Sequence, residues 1–341
     1  MRLAYPARVD GLLRRTRVER EGLEHELLAP AATKSDESAG RAEPEEPDEF
    51  RTAYERDRDR IVHTKAFRRL KHKTQVFLNP DGDHFVTRMT HTLQVNQVGR
   101  AMARALGLNE DLTEAMCLGH DVGHSPFGHT GEEAISPFVE GDWLHSTHGV
   151  RTLSLIEPQN LSDEVLDGIR AHSWRIDPPP GTPEGRLCRF ADRIAYLTHD
   201  VADALRANVL QYHEIPTRAL TTFGATSREW IGSLATSVIE ASHKSGNVEM
   251  DPHHLEVMGE LRDFMFSRVY LSPESETQKQ KAIIIIQDLL RWFTDHPLEV
   301  PDSATTPTAE PLQRAIDYVA GMTDRYALHT HDRLFRPTLL D

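Results

Sequence analysis

The chain has 341 residues, with 39 Lys and Arg against 53 Asp and Glu, so its formal net charge at pH 7 is −14. Hydrophobic residues make up 38%, which excludes a wholly disordered chain, and the acidic balance disfavours a general nucleic-acid or membrane coat. Two cysteines are too few for a disulfide framework, and no apolar run approaches the length of a membrane helix. We expect a cytoplasmic protein with no membrane partner.

The first 73 residues fall into three segments of different composition. Residues 1–28 carry apolar positions at helical spacing, and residues 29–52 are rich in Pro, Glu, Asp and Ser, as in a linker or an extended arm. Residues 51–73 are intensely charged and carry one thin apolar stripe, which predicts a single helix. The segment NPDGD at 79–83 predicts a turn, and its flanks favour a short hairpin.

The next stretch predicts two helices and a broken loop. The first helix runs from about Thr87 to Leu106, with Gly107 as its C-cap. Asn109 caps the second, which reaches His120. The loop HDVGHSPFGHTG follows, and Thr130 with Glu133 predicts a capping box for the helix after it. The side chains expected to face inward from the first helix are Leu93, Val95, Val98, Met102 and Leu106.

The rest of the chain is mostly helical by pattern. Residues 177–185 are typical of a linker, and residues 186–210 predict another helix. No strand series and no internal repeat is evident in the sequence. We therefore predict an all-α fold, an irregular helical bundle with short non-helical insertions.

Four residues on separate predicted helices form a candidate metal site: His91, the adjacent pair His120 and Asp121, and Asp192. A helical bundle can bring such side chains together in its core. Two imidazoles and two carboxylates suit one divalent ion such as Mn, Mg, Fe, Co or Ni. Any one of these histidines alone would more often be an ordinary polar residue, but the joint pattern H…HD…D is far more specific.

The order of these residues resembles the HD-domain metal-dependent phosphohydrolase superfamily. Longer segments resemble its deoxyguanosine triphosphate triphosphohydrolase (dNTPase) family, and most closely the bacterial dGTPase-like branch. The resemblance covers roughly residues 27 to 330. The segments that carry it are RTAYERDRDRIVHTKAFRRLKHKTQVF, the RMTHT stretch around His91, LGHDVGHSPFGHTGEE and ADRIAYLTHD.

The resemblance implies an HD-type helical fold, a divalent metal, and hydrolysis of deoxynucleoside triphosphates (dNTPs) to deoxynucleoside and inorganic triphosphate. It divides the chain into an N-terminal helical segment and acidic arm at 1–52, an HD core at 53–210, and a C-terminal helical region at 211–341. The partners it implies are a dNTP substrate and other copies of the chain, with an activating dNTP left open. Nucleic acid is not favoured as a partner.

By the same resemblance, His91, His120, Asp121 and Asp192 are the metal ligands. The candidate catalytic residues are the loop histidines and an acid that orients them, namely His124, His129, His145 and Glu132. Either His124 or His129 would protonate the departing 5′-oxygen. The segment HSTHG, which begins at His145, differs from the family's usual HN-x-QS motif in its second half.

Five further residues are expected to contact the substrate. Arg88, one helical turn before His91, and Arg193, beside Asp192, would bind phosphate oxygens. Tyr196 would pack on the deoxyribose, Asp200 would accept from the 3′-hydroxyl, and Gln75 would lie near the sugar. Without the resemblance, Tyr196 would be read as a core residue.

Two other functions remain open on the sequence. The same metal core would serve an HD enzyme that hydrolyses nucleoside monophosphates or phosphodiesters. The basic run at 68–73 is compatible with a sensor of nucleotides or single-stranded nucleic acid whose hydrolysis is vestigial. The net charge of −14 and the complete ligand set argue against the sensor.

Overall fold

The computed structural model describes residues 11–77 and 84–337 of the chain. These residues form fifteen α-helices and no β-strand, with only two isolated bridges, between Arg41 and Ser162 and between Thr74 and Thr87. The predicted all-α fold is confirmed. The turn predicted at 79–83 lies outside the described residues. None of the described helices has the length and apolar content that crossing a bilayer requires.

The α-helices, numbered in chain order, are α1 Arg17–Leu27, α2 Ala53–His63, α3 Lys65–Arg69, α4 Arg88–Leu106, α5 Glu110–Gly119, α6 His129–Ile135, α7 His145–Arg151, α8 Asp163–Ala171, α9 Pro183–Arg206, α10 Thr217–Phe223, α11 Ser227–Ser245, α12 Pro252–Met265, α13 Pro273–Asp295, α14 Pro311–Ala320 and α15 Asp324–Phe335. Short 3₁₀ turns join several of them, and π-helical turns extend α7 over Thr152–Ile156 and α12 over Phe266–Tyr270.

The ends of α4 and α5 follow from local chemistry, as predicted. The Thr87 side chain accepts from the backbone at the start of α4, and Gly107 ends that helix with a left-handed φ of 67°. The Asn109 side chain caps α5. The prediction that Leu93 faces inward is wrong, because it lies on the outer side of α4 and is 50% exposed. The inward face of α4 includes Val95, Val98 and Met102, all buried.

Three of the predicted helix boundaries are wrong. The single helix expected over 51–73 breaks at Thr64, whose side chain caps a separate α3, and a 3₁₀ turn follows over Leu70–His72. The capping box of Thr130 and Glu133 is absent, because α6 already begins at His129, directly after Gly128. Helix α9 begins at Pro183 rather than 186, because Thr182 caps it and proline suits a first helical turn.

The buried side chains form two clusters. The larger includes residues of α2, α4, α5, α8, α9, α11 and α12, and the smaller includes residues of α6, α13, α14 and α15. Helix α4 packs along both α5 and α9. The approach of α4 to α5 is close at Gly99, where a Cβ would lie 2.8 Å from Cys117 Sγ. These three helices therefore form a tight frame, and it carries the candidate metal ligands.

The segment at 29–52 is an extended arm held against the body of the protein. Thr33 donates to Glu184 at the start of α9, and Arg41 pairs with Asp57 of α2. Asp57 also accepts from the backbone and hydroxyl of Ser162, at 3.0 and 2.6 Å. Since the Asp57 side chain is fully buried, these partners replace the water it loses.

We expect Asp57→Ala to lower the free energy of unfolding by about 3 to 5 kcal/mol, because it leaves Arg41 without its buried partner. The matched control is Asp59→Ala on the same helix. Asp59 pairs with arginines near the surface, so its loss should cost about 1 kcal/mol or less. Urea denaturation measures both. Equal effects would show that Asp57 does not anchor the arm.

Candidate metal centre and active site

The four predicted metal ligands meet at one point. His91 comes from α4, His120 and Asp121 follow the end of α5, and Asp192 comes from α9. The Nε2 atoms of His91 and His120 are 3.3 Å apart, and His91 Nε2 is 3.2 Å from Asp192 Oδ1. Asp121 oxygens lie 3.5 Å from His120 Nε2 and 3.8 Å from His91 Nε2.

This donor set fits a divalent metal ion. His120 Nδ1 donates to the carbonyl of Cys117 at 2.7 Å, so the Nε2 of a neutral His120 ring is left with a free lone pair. His91 Nδ1 is likewise engaged, at 2.9 Å from His199 Nε2. Two imidazole nitrogens that face each other beside two carboxylates are the ligands of a mixed nitrogen and oxygen site. His91, His120 and Asp192 would hold the ion, with Asp121 beside them.

A second group of histidines adjoins these ligands. The rings of His124 and His145 stack with centroids 3.7 Å apart, and the His129 ring lies 5.2 Å from that of His124. His124 Nε2 is 3.2 Å from Asp121 Oδ1. Glu132 joins the group: it contacts His129 Nδ1 at 2.7 Å through one oxygen and His145 Nδ1 through the other.

Hydrogen bonds fix the orientation of the His145 ring. His172 Nδ1 donates to the Ile169 carbonyl, so its Nε2 accepts the proton that His145 Nε2 shares with it at 2.9 Å. His145 Nδ1 faces the Glu132 carboxylate, which also accepts. Glu132 and His172 therefore hold the His145 ring in place through its two nitrogens.

Burial and neighbouring charges have opposite effects on the pKa values of the two carboxylates. Burial alone would raise the pKa of Asp121, but His120 and Arg88 bring it well below its ordinary value. Burial would likewise raise the pKa of Asp192, but the hydrogen bond with His91 and the charges of His120, His91 and His172 together bring it below its ordinary value. Both groups are therefore ionised, which is the form in which a carboxylate can bind a metal ion. Burial and the charge on Arg88 lower the pKa of His124, which keeps that ring neutral.

Two glycines allow the loop after His120 to fold this tightly. A Cβ on Gly123 would lie 2.1 Å from the carbonyl oxygen of His145, so only glycine permits the loop to pack on α7. Gly128 has φ of 59°, and its Cβ would lie 2.4 Å from Arg88 Nη2. Arg88 is buried and donates to Asp121 at 3.0 Å. The loop thereby brings Asp121, His124 and Arg88 together.

The site opens into a cavity of about 1450 Å³. All five residues predicted to contact the substrate line it. The loop histidines, Glu132 and every candidate metal ligand except His120 line it as well. The Arg193 guanidinium lies over the Trp174 ring at 3.8 Å, and the Tyr270 hydroxyl donates to Asp200 at 2.6 Å. The predicted substrate residues that line this cavity are Gln75, Arg88, Arg193, Tyr196 and Asp200.

Comparison with known proteins decides the family. The family model described as "HD domain" matches residues 88–197, and that described as "Phosphohydrolase-associated domain" matches residues 248–333. A "Deoxyguanosinetriphosphate triphosphohydrolase-like protein" of Caldanaerobacter subterraneus subsp. tengcongensis is 43% identical over 93% of this chain and 95% of its own. The chain belongs to this dGTPase-like family of HD-domain proteins.

A second relative matches the same share of this chain. The protein of the same name from Desulfatibacillum aliphaticivorans is 40% identical, over 93% of this chain and 97% of its own. Among solved structures, a hypothetical protein from Aquifex aeolicus matches 83% of this chain and 68% of its own, with 20% identity and a TM-score of 0.47. The family predicted from the sequence is confirmed by the two curated relatives, and the HD match spans all four predicted metal ligands.

Sequence reasoning missed three residues that complete this family member's site. His172, Trp174 and Tyr270 contact, in that order, a loop histidine, the Arg193 guanidinium and the Asp200 carboxylate. Each lies at or just after a helix end or in a helical irregularity, and none belongs to a recognisable motif. Only the tertiary packing brings them to the cavity, so the sequence held no signal for them.

His199 is a fourth residue of the site that sequence reasoning did not assign. Its Nε2 lies 2.9 Å from His91 Nδ1, so it orients the ring of a proposed metal ligand. His199 lies seven positions after Asp192, and that spacing places the two side chains on one face of α9. The sequence alone thus places His199 or Asp200 on the face of Asp192, but only the structure shows that His199 contacts His91.

Buried neutral histidines make the stability of this protein depend on pH. Burial lowers the pKa of His148 to about 4 and that of His172 to about 3, whereas histidine in an unfolded chain titrates near about 6.5. As the pH falls below about 6.5, the unfolded chain therefore takes up protons that the folded chain does not. The stabilisation is complete above that pH and is lost as the pH falls towards about 4.

Lowering the pH from 7.5 to 5 protonates His148 in the unfolded chain but not in the folded one. We expect this difference alone to reduce the free energy of unfolding by about 2 kcal/mol. Urea denaturation of the metal-free protein at the two pH values measures this. The variant His148→Gln should lose correspondingly less stability over the same interval. An identical pH dependence in the two proteins would contradict the assignment of a neutral, buried His148.

Proposed function

We propose that the protein hydrolyses dNTPs to deoxynucleoside and inorganic triphosphate at the cavity that holds His91, His120, Asp121 and Asp192. The single observation that carries this proposal is the convergence of these four donors beside a cavity of about 1450 Å³, which three of them line. The relatives' printed name, "Deoxyguanosinetriphosphate triphosphohydrolase-like protein", supports the same substrate class.

A divalent ion on these ligands would neutralise phosphate charge and lower the pKa of water. In the proposed reaction, water attacks the α-phosphorus, the bond from that phosphorus to the 5′-oxygen breaks, and triphosphate is released. Arg193 lines the cavity one residue after Asp192 and offers a guanidinium to the phosphate oxygens. Trp174 supports that guanidinium from one side, which limits the directions in which it can point.

His129 is the proposed proton donor to the departing 5′-oxygen. Its Nδ1 contacts Glu132, which leaves Nε2 for the substrate, and its side chain is 72% exposed. His124 is less suited to this role, because burial holds its pKa well below the ordinary value and keeps it neutral. His145 shares Glu132 with His129, so it acts by positioning that carboxylate.

Tyr196 and Asp200 are proposed to select the deoxyribose. Tyr270 donates to Asp200 Oδ2 at 2.6 Å, so only the other oxygen remains for the substrate. His199 Nδ1 lies 2.8 Å from Asp200 Oδ1, but the two atoms are not aligned for a hydrogen bond, and Oδ1 has no such partner among the described residues. A buried oxygen in this state is ready to accept from a 3′-hydroxyl.

Product analysis tests the proposal. The purified protein is incubated with Mn²⁺ or Mg²⁺ and each dNTP in turn, with GTP as the ribonucleotide control, and then with mixtures of dNTPs. Ion-exchange chromatography separates triphosphate, pyrophosphate and phosphate. Deoxynucleoside with triphosphate is the expected result. Hydrolysis of deoxynucleoside monophosphates or of a phosphodiester, without turnover of any dNTP or mixture, would favour the other HD chemistry instead.

A further inference from the structure

A second cavity lies behind the loop that carries Asp121. Its volume is about 710 Å³, and it is lined by residues of α3, of the end of α7 and of the segment from 301 to 326. Val122, which follows Asp121 directly, lines this cavity. The Lys73 ammonium donates to the carbonyls of His124 and Ala320, so it ties the loop to the cavity's far wall. None of the proposed catalytic residues lines this cavity.

Arg69 is the unusual residue of the second cavity. Its guanidinium makes no hydrogen bond or ion pair with any residue in the described parts of the chain, and its Nε is buried without a partner. Burial lowers the pKa of Arg69 from its ordinary value. A guanidinium left unpaired in a partly buried site is costly, and a ligand with negatively charged oxygen acceptors would offset that cost.

The acids around this cavity are engaged elsewhere. Asp317 accepts from Arg151 at 2.8 Å through each oxygen, and also from Thr305 and Gln313. Glu157 accepts from the backbone at the start of α3, at 2.7 and 3.2 Å. Lys65 also lines the cavity and adds a second positive charge. The charge of Glu157 acts on Arg69, but neither acid that lines the cavity forms an ion pair with Arg69 or Lys65 in the described parts of the chain.

We propose that this second cavity binds a phosphate group on Arg69, with Lys65 as a supporting charge. A guanidinium presents paired N–H donors that match the oxygens of phosphate, and a flexible ammonium adds charge without fixed geometry. The volume admits either a free phosphate ion or the phosphate of a small organic molecule. This inference does not depend on the proposed reaction, because it uses none of its residues.

Calorimetric titration with inorganic phosphate, in the presence of a chelator to keep metal out of the first cavity, tests the site. We expect wild type to bind phosphate and Arg69→Gln to bind it about tenfold or more weakly. Arg68→Gln is the matched control, since the neighbouring Arg68 is exposed, and it should bind as wild type does. Arg88→Gln alters the first cavity and should also leave this binding intact.

Three results would overturn the proposal: no binding to wild type, equal binding to Arg69→Gln, or loss of binding in Arg88→Gln. Thermal unfolding without phosphate provides the folding control, and Arg69→Gln should be at least as stable as wild type because it removes an unpaired charge. If Arg69→Gln fails to fold, the same titration of Lys65→Gln and of Arg69→Lys tests the site instead. Both should bind more weakly than wild type, and unchanged binding in both would refute the site.

A further titration distinguishes a free phosphate ion from the phosphate of an organic molecule. Arg88→Gln, in which the first cavity is altered, is titrated with deoxyadenosine monophosphate. If the nucleotide binds more tightly than inorganic phosphate, and the double variant Arg88→Gln/Arg69→Gln does not bind it, the ligand is an organic phosphate. Binding of inorganic phosphate alone would identify the free ion. Each of these results supports a phosphate site at Arg69.

Discussion

Replacing Asp121 with Ala should abolish metal binding and turnover together. Asp121 lies within 3.5 Å of His120 and 3.8 Å of His91, and it also accepts from Arg88. The substitution removes one proposed ligand and the carboxylate to which Arg88 donates. We expect kcat to fall by about 10³-fold or more, because the charge stabilisation that the ion supplies is lost with it.

Metal content by mass spectrometry and steady-state turnover of a dNTP test this prediction on the same preparation. The matched control is Asp142→Ala, which removes an exposed carboxylate from the lining of the same cavity. That variant should keep both its metal and its activity. Since Asp121 is buried, circular dichroism must show that Asp121→Ala is folded, and Asp121→Asn offers a less disruptive change. A folded Asp121→Ala that retained metal and turnover would refute the assigned site.

Replacing His129 with Ala should lower kcat while the metal content stays unchanged. His129 is exposed to the cavity and is held by Glu132, which suits a group that gives a proton to the leaving oxygen. Loss of a general acid costs about 10²- to 10⁴-fold in rate. The neighbouring Thr130→Ala, also in the cavity lining, is the control and should retain its activity.

The metal measurement makes the His129 prediction decisive. His124, His129 and His145 form a second group whose nitrogens are close enough to hold an ion. If His129 were a ligand there, His129→Ala would lose metal along with activity. Normal metal content with reduced kcat supports the acid role, whereas loss of metal would make His129 a ligand or a structural residue.

The sequence was most informative where local chemistry determines structure. Helix α4 and its glycine cap follow from periodicity and from the conformational freedom of Gly107. The convergence of His91, His120, Asp121 and Asp192 could be expected from their joint pattern, and the structure brings them together. Their roles as ligands, like the catalytic and substrate roles of the other residues, stay predictions.

Tertiary packing determined what the sequence could not. His172 and Tyr270 reach the site from helix ends far along the chain, and only the packing of α8 and α12 against α9 brings them near it. The break at Thr64 also had no strong local signal, because the charged segment around it suits a helix throughout. The capping box failed because Gly128 adopts a positive φ and starts α6 earlier.

Hydrolysis of dGTP in ¹⁸O-labelled water, with mass analysis of both products, tests the central claim most directly. Attack of water on the α-phosphorus with release of the 5′-oxygen predicts one labelled oxygen in triphosphate and none in deoxyguanosine. Label in the 5′-hydroxyl of deoxyguanosine, or formation of deoxyguanosine monophosphate and pyrophosphate, would contradict the account.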